Sequence, residues 1–273
     1  MKITSLIDNE CSIEGLIKQH GLSLLIETKG KKILFDTGAD GAFIHNAKAL
    51  GIDLSEVDMC VLSHGHYDHG GGINAFLNLN EKSLVYLSAK ASNDHVALRP
   101  NGEHESIGIH ISRAHLDRLV FVDAQLKVDP CLIFSDVWGY FPLPSGNKSL
   151  FKEKDGKYIL DDFAHEQHLV IEEDGKFVLL AGCAHRGILN VLTYLKDKYG
   201  ILCDAVIGGF HLHNKVTNTY ESAAILETLA KELMNTFSKF YTCHCTGIPA
   251  YSFLKVIMKD QIEYLSTGES IEV

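Results

Sequence analysis

The stretch VLSHGHYDHGGG, Val61–Gly72, sets three histidines and one aspartate within six positions, directly after an apolar run and directly before a glycine cluster. Leaving a strand, His64 and His66 can point the same way, while Asp68 and His69, one helical step on, face a neighbouring point. That is a geometry for two metal positions side by side. Imidazole nitrogens and carboxylate oxygens suit zinc and similar divalent ions, and a coordination place left open permits chemistry. The glycines let the backbone approach closely and start a helix behind the site. A surface turn with idle histidines is the plain alternative for a lone histidine, but His-x-His-x-Asp-His at a strand end argues for ligands.

Upstream of this stretch, LSLLIET, KKILFDTG and VDMCVLSH are short apolar runs bounded by Gly, Asp or Asn, the pattern of strands in a buried sheet. A short helix is expected around FIHNAKALG, ending at Gly51. SLVYLS, RLVFVDA and CLIFSDV read as further strands. From Gln167 the pattern restarts: Asp174-Gly175 between two apolar runs signals a tight hairpin. A helix follows over GILNVLTYLKDKYG, closed by Gly200, with Leu189, Leu192 and Leu195 at core-facing spacing. Strand CDAVIGGF, helix YESAAILETLAKELM, strand KFYTC, helix AYSFLKVIMK and strand IEYLST complete the chain. Strands precede helices in both halves, so the expected class is α/β, two mixed sheets face to face with helices on their outer faces. Residues 1–273 read as one such domain, interrupted by less regular stretches at about 89–118 and 139–165 that can wall a site.

The composition narrows the function. With 46% hydrophobic residues the chain has material for a large core, and its net charge of −10 argues against a nucleic-acid binder, which needs a basic stripe. No run approaches the length of a membrane span and MKITSLIDNE is no signal peptide, so the reading is a soluble, cytoplasmic protein. Seven cysteines at irregular spacing speak for reduced thiols, with Cys60 and Cys131 filling apolar strands. Oligomeric state, a homo-oligomer included, is left open.

The segments HGLSLLIET, ILFDTG, LSHGHYDHGGG, GCAHRGILN, IGGFHL and HCTG, in this order, resemble the metallo-β-lactamase superfamily, and within it the branch similar to archaeal dihydropteroate synthase. The resemblance implies an αββα sandwich. It implies that His64, His66 and His185 hold one divalent ion and Asp68, His69 and His244 a second, with Asp36 supporting the histidines from behind. Zinc is the expected metal, with manganese, iron and magnesium as alternatives. The superfamily's usual bridging Asp is missing, since AVIGGFHL ends without a carboxylate. His211 is the nearest candidate to stand at or beside the metals, its other reading being a buried imidazole that supports a ligand. Because an imidazole bridges two ions poorly, one tight and one weak metal are expected. Catalytic roles fall to Asp68 and His211.

Branch membership further implies an anionic substrate, pterin-like or a phosphate ester, and chemistry in which metal neutralises a leaving diphosphate or activates water. Arg186, Thr246, Gly247, Arg113 and Tyr140 are the candidate substrate contacts, with Arg99, His115, Trp138 and Phe141 as further candidates. Cys243 and Cys245, flanking His244, read as packing or ligand contacts. His20, His45, His95 and His165 are individually weak signals, placed at the surface by default. A general phosphodiesterase or ester hydrolase is the alternative enzyme, and a metal-bearing sensor without turnover the alternative class.

Overall fold

A computed structural model describes residues 1–273. Two seven-stranded sheets form its centre. The first has the order Ser270–Glu272, Lys2–Ile7, Ser23–Thr28, Lys31–Phe35, Met59–Val61, Leu84–Ser88, Leu119–Val122. The second runs Ile262–Tyr264, Lys239–Thr242, Ala205–Gly208, Lys176–Ala181, His168–Glu173, Cys131–Phe134, Gln125–Val128. Both are mixed: Lys31–Phe35 through Leu119–Val122 pair in parallel, as do Lys176–Ala181 through Ile262–Tyr264, and the remaining pairs are antiparallel.

The strands read as near-continuous apolar runs because both faces of each sheet are covered. Leu24, Ile26, Ile33 and Phe35 share one buried layer with Leu169, Ile171, Val178 and Leu180, between the sheets. Their neighbours point the other way: Leu25 and Leu34 pack under helices Ala42–Ala49 and Ile73–Leu79. Val170 and Leu179 pack under helices Ile188–Tyr199, Ala223–Met234 and Ile248–Met258. Three apolar layers between four structural ones make the αββα sandwich that the sequence implied. No helix is long and apolar enough to cross a membrane.

Local signals held where backbone chemistry dictated them. Asp174 and Gly175 both have positive φ, 53° and 77°, as a two-residue turn matching strand twist requires. Gly200 caps its helix at φ 68°. In that helix burial falls on Ile188, Val191, Leu192 and Leu195, and Leu189 lies at the margin. Helix Ile248–Met258 starts two residues before the AYSFLKVIMK run, with Pro249 in its first turn.

The stretches at 89–118 and 139–165 need correction. Strands Lys157–Leu160, Leu150–Lys154, His95–Leu98 and His104–Ser106 pair, in that order, into an antiparallel four-stranded sheet over a small cluster of Ala97, Ile107, Leu150 and Phe163. These strands are only three to five residues long and mostly exposed, so apolar periodicity missed them. Asp155-Gly156 carried the same turn signal as Asp174-Gly175. Lys2–Ile7, Gln125–Val128 and Ser270–Glu272 are further strands the sequence reading passed over.

Candidate metal centre

Parallel strands of both sheets deliver their carboxyl-terminal ends to one cleft, the place where α/β sheets present ligand-binding side chains. Met59–Val61 leads into Ser63–His69, Lys176–Ala181 into Cys183 and His185, Ala205–Gly208 into His211, and Lys239–Thr242 into His244. His66, Asp68, His185, His211 and His244 line this cleft. The rings of His64, His66 and His185 stand 4.5, 5.0 and 5.0 Å apart between centroids. Asp68 Oδ2 lies 3.4 Å from His244 Nε2 and 3.9 Å from His69 Nε2, and the two Nε2 atoms are 3.2 Å apart.

Hydrogen bonds fix which nitrogen of each ring can bind a cation. Ser63 donates its hydroxyl to Asp36 Oδ2, so at 2.8 Å it must accept from His64 Nδ1–H. Asn147 Oδ1 accepts from His185 Nδ1 at 3.0 Å, and Asn9 Oδ1 from His244 Nδ1 at 2.9 Å. Asp36 Oδ2 accepts from His69 Nδ1 at 2.6 Å. In each of the four rings Nδ1 gives a proton to a fixed acceptor and Nε2 faces the centre, the arrangement that orients metal-binding histidines. The Nε2 atoms of His64, His66 and His185 are buried without any hydrogen-bond partner. Orphaned buried acceptors are costly unless something occupies the space between them, and a divalent cation fits that requirement.

The electrostatics agree. Burial, and then neighbouring imidazoles, hold His64 and His185 well below the usual histidine range, in the neutral form a cation needs. Burial alone would raise Asp68, but the His69 charge and hydrogen bonds from His20 and His244 hold it well below the ordinary carboxylate value. Burial would likewise lower His69, yet the Asp36 and Asp68 carboxylates set it at about 9, so a cation bound there must displace its Nε2 proton. Glu166, pushed up to about 7 by burial, accepts the backbone N–H groups of His185 and Arg186 and so pins the turn that presents His185.

Several residues occupy places the sequence did not foretell. His20, placed at the surface by default, is half-buried with Nε2 3.1 Å from Asp68 Oδ2. Its only signal was its position at the head of HGLSLLIET. Cys183 lies within 4.8 Å of the ligand atoms of His64 and His185, and also of those of His69 and His244. The spacing GCAH held that information, unread. His95 and His165 are buried rather than exposed, beside Asp161 and His66. His45 is exposed as expected.

The group of His66, His95, Asp161 and His165 resembles a second metal site until its protons are placed. Gly65 N–H donates to His165 Nδ1 at 2.9 Å, which puts the His165 proton on Nε2, 3.3 Å from Asp161 Oδ2. His95 Nδ1 donates to the same oxygen at 2.9 Å. Burial would raise Asp161, and the adjacent His165 and His95 imidazoles reverse that and keep it ionised. The group is therefore a hydrogen-bonded brace behind the His66 ring, whose centroid is 5.2 Å from His165 and 5.6 Å from His95. Asp161→Asn is expected to weaken divalent metal binding about tenfold, read by competition with a chromophoric chelator. Unchanged affinity would deny the brace any role at the centre.

The predicted substrate contacts are largely corrected. The Arg186 guanidinium is spent on the carbonyls of Val137 and Asp162. Thr246 is buried, bonded to Thr242 and to Phe210 N–H, and Gly247 packs against Tyr220 and His213. Arg113 is exposed on the short turn Arg113–Arg118, Tyr140 is 79% exposed, and none of these five residues lines the cleft. Nor do His115 and Trp138, while Phe141 borders a separate apolar groove with Leu189 and Ile225. Arg99 does line the cleft, with His213, Asn214 and Lys215. Residue type suggested these contacts, and only tertiary placement shows where each side chain lies.

The metallo-β-lactamase superfamily model matches residues 18–236. A Methanocaldococcus jannaschii protein named 7,8-dihydropterin-6-methyl-4-(β-D-ribofuranosyl)-aminobenzene-5′-phosphate synthase is 27% identical over 93% of this chain and 90% of its own. A second protein of that organism, uncharacterised, is 30% identical over 92% of this chain and 93% of its own. A solved structure described as a metal-dependent hydrolase of the β-lactamase superfamily is 29% identical, with a TM-score of 0.84 over 100% of this chain and 99% of its own.

Proposed function

Since the chain belongs to the metallo-β-lactamase superfamily, we propose that it is a metal-dependent enzyme acting on a phosphorylated or pyrophosphorylated small molecule, in the manner of the synthase it resembles. The observation that supports this most is the set of buried, bare Nε2 atoms of His64, His66 and His185 beside an open cleft, the rings of His64 and His185 locked by Nδ1 partners. His64, His66 and His185 would hold one divalent ion and Asp68, His69 and His244 another. Such ions supply Lewis acidity and neutralise charge on a phosphoryl or diphosphate group.

The chain's own residues do the rest. Asp68, kept ionised by the His69 charge and the His20 hydrogen bond, faces the cleft as a carboxylate. His211 stands 4.2 Å from His185 between ring centroids, and neither of its nitrogens has a partner, so it is free to take or return a proton at the substrate. At the mouth, Arg99 gives Nε to Glu105 at 2.5 Å and keeps its Nη donors free. Lys215 opens onto the same cleft with no ion-pair partner, its pKa lowered by partial burial and by the Arg99 charge. An unpaired cation beside a metal floor, in a chain of net charge −10, suits an anionic ligand. Lys215→Met should therefore raise KM for the anionic substrate about tenfold with little change in kcat. Steady-state kinetics check this, and an unmoved KM would remove Lys215 from substrate binding.

A second reading, hydrolysis of a phosphodiester or other ester, draws on the solved relative described as a hydrolase. Metal-loaded protein assayed with bis-p-nitrophenyl phosphate, and separately with a pterin methyl diphosphate plus an aryl amine, separates the two. Amine-dependent release of pyrophosphate supports synthesis, and turnover of the diester alone supports hydrolysis. Silence in both assays with metal bound would leave a binding or sensor protein.

A further inference from the structure

The strand Ala205–Gly208 ends in Gly209, Phe210 and His211, and no carboxylate stands there to join two cations. We propose that the Cys183 thiolate is the shared ligand, bridging a metal held by His64 and His185 to a metal held by His69 and His244.

Cys183 is the one residue common to both histidine groups, its sulfur within 4.8 Å of every ligand atom in each. It is 3% exposed, and its Sγ lies 3.2 Å from His69 Nε2. Independently, the buried Nε2 atoms of His64 and His185 point into the same space without partners. An imidazole Nε2 offers one lone pair, whereas a thiolate sulfur offers several and can bind two ions at once. Charge favours it as well: among the five histidines and Asp68, only Asp68 brings a negative charge to offset two divalent ions. Cys245 is the lesser candidate. It reaches Cys183 and His211 but neither histidine group, and its Sγ accepts the His211 backbone N–H at 3.3 Å.

On metal binding the Cys183 thiol proton and the His69 Nε2 proton leave to the buffer, the freed lone pairs form the metal–sulfur and metal–nitrogen bonds, and nothing is oxidised or reduced. This reverses the expectation of one tight and one weak ion. A soft sulfur also favours zinc, iron or cobalt over magnesium.

The proposal rests on the metal-dependent reading above, and cobalt(II) alone tests both. The full chain, stripped with chelator and reloaded, should keep about two cobalt ions through dialysis and show a near-ultraviolet sulfur-to-cobalt charge-transfer band. Cys183→Ser, and Cys183→Ala as a variant without a hydroxyl, should lose the band and bind the second ion at least about tenfold more weakly. Cys245→Ser should keep both properties. Cobalt bound without the band, a band surviving in Cys183→Ser, or a band lost only in Cys245→Ser would overturn the bridge and leave the metal site standing. A wild-type chain that binds no cobalt would overturn the metal-dependent reading, and the bridge with it.

Discussion

His185→Ala is expected to leave a folded protein that has lost most of its tightly bound metal and more than about a hundredfold of its activity. Replacing residues that merely orient a metal ligand costs about 10–100-fold in affinity or activity, so deleting a ligand should exceed that range. The residue is well prepared for the role: Asn147 Oδ1 holds its Nδ1–H, Glu166 holds its backbone N–H, and its Nε2 is buried and bare. The fold loses little besides the ring's stack on Phe163, 4.4 Å between centroids, worth about 1 kcal/mol. Asn147 keeps its bond to the His185 carbonyl. Elemental analysis after dialysis, together with thermal unfolding, checks the outcome. A variant with full metal content and full turnover would remove His185 from the centre and the mechanism with it.

Gly65→Ala should damage the protein as badly, by a different route. In His-x-His the middle position looks free, yet a Cβ at Gly65 would sit 2.1 Å from the Ala91 carbonyl oxygen and 2.8 Å from its carbonyl carbon and Cα. Those are backbone atoms of Ala91, the buried residue of the turn Ala89–Ser92, so no side chain can swing aside. The expected loss is about 4 kcal/mol, in the tail reserved for overpacked cores. For a chain of this size that lowers Tm by about 10 °C. The shift would also displace the Gly65 N–H that sets the His165 proton, and so loosen the brace behind His66. Gly41→Ala is the matched control, since its Cβ would meet only the Ala75 Cβ at 3.9 Å, and it should change stability by less than about 0.5 kcal/mol. Equal melting temperatures for the two variants would show that the backbone yields more easily than this packing allows.

Legibility in the sequence followed the range of the physics involved. Apolar runs, Asp174-Gly175 and Gly200 report on neighbouring residues, and the main strands and helices appeared where those signals stood. The four-stranded side sheet did not, because its strands are short and mostly exposed, and Leu150–Lys154 is tied to the distant strand His95–Leu98, a pairing that leaves no periodic trace. At the site, spacing within Val61–Gly72 was informative since the ligands share one turn. The brace joins His95 and Asp161, 66 positions apart, and no local pattern connects them.

By itself, then, the chain's order of residues determined an αββα sandwich and the clustering of histidines at strand ends, since both follow from short-range periodicity and turn geometry. Only the tertiary structure decided which nitrogen each imidazole presents, that Cys183 stands between the two histidine groups, and that Lys215 rather than Arg186 opens onto the cleft. Proton placement and the direction of a long side chain depend on partners brought together from distant segments, and those partners exist only once the sheets have packed.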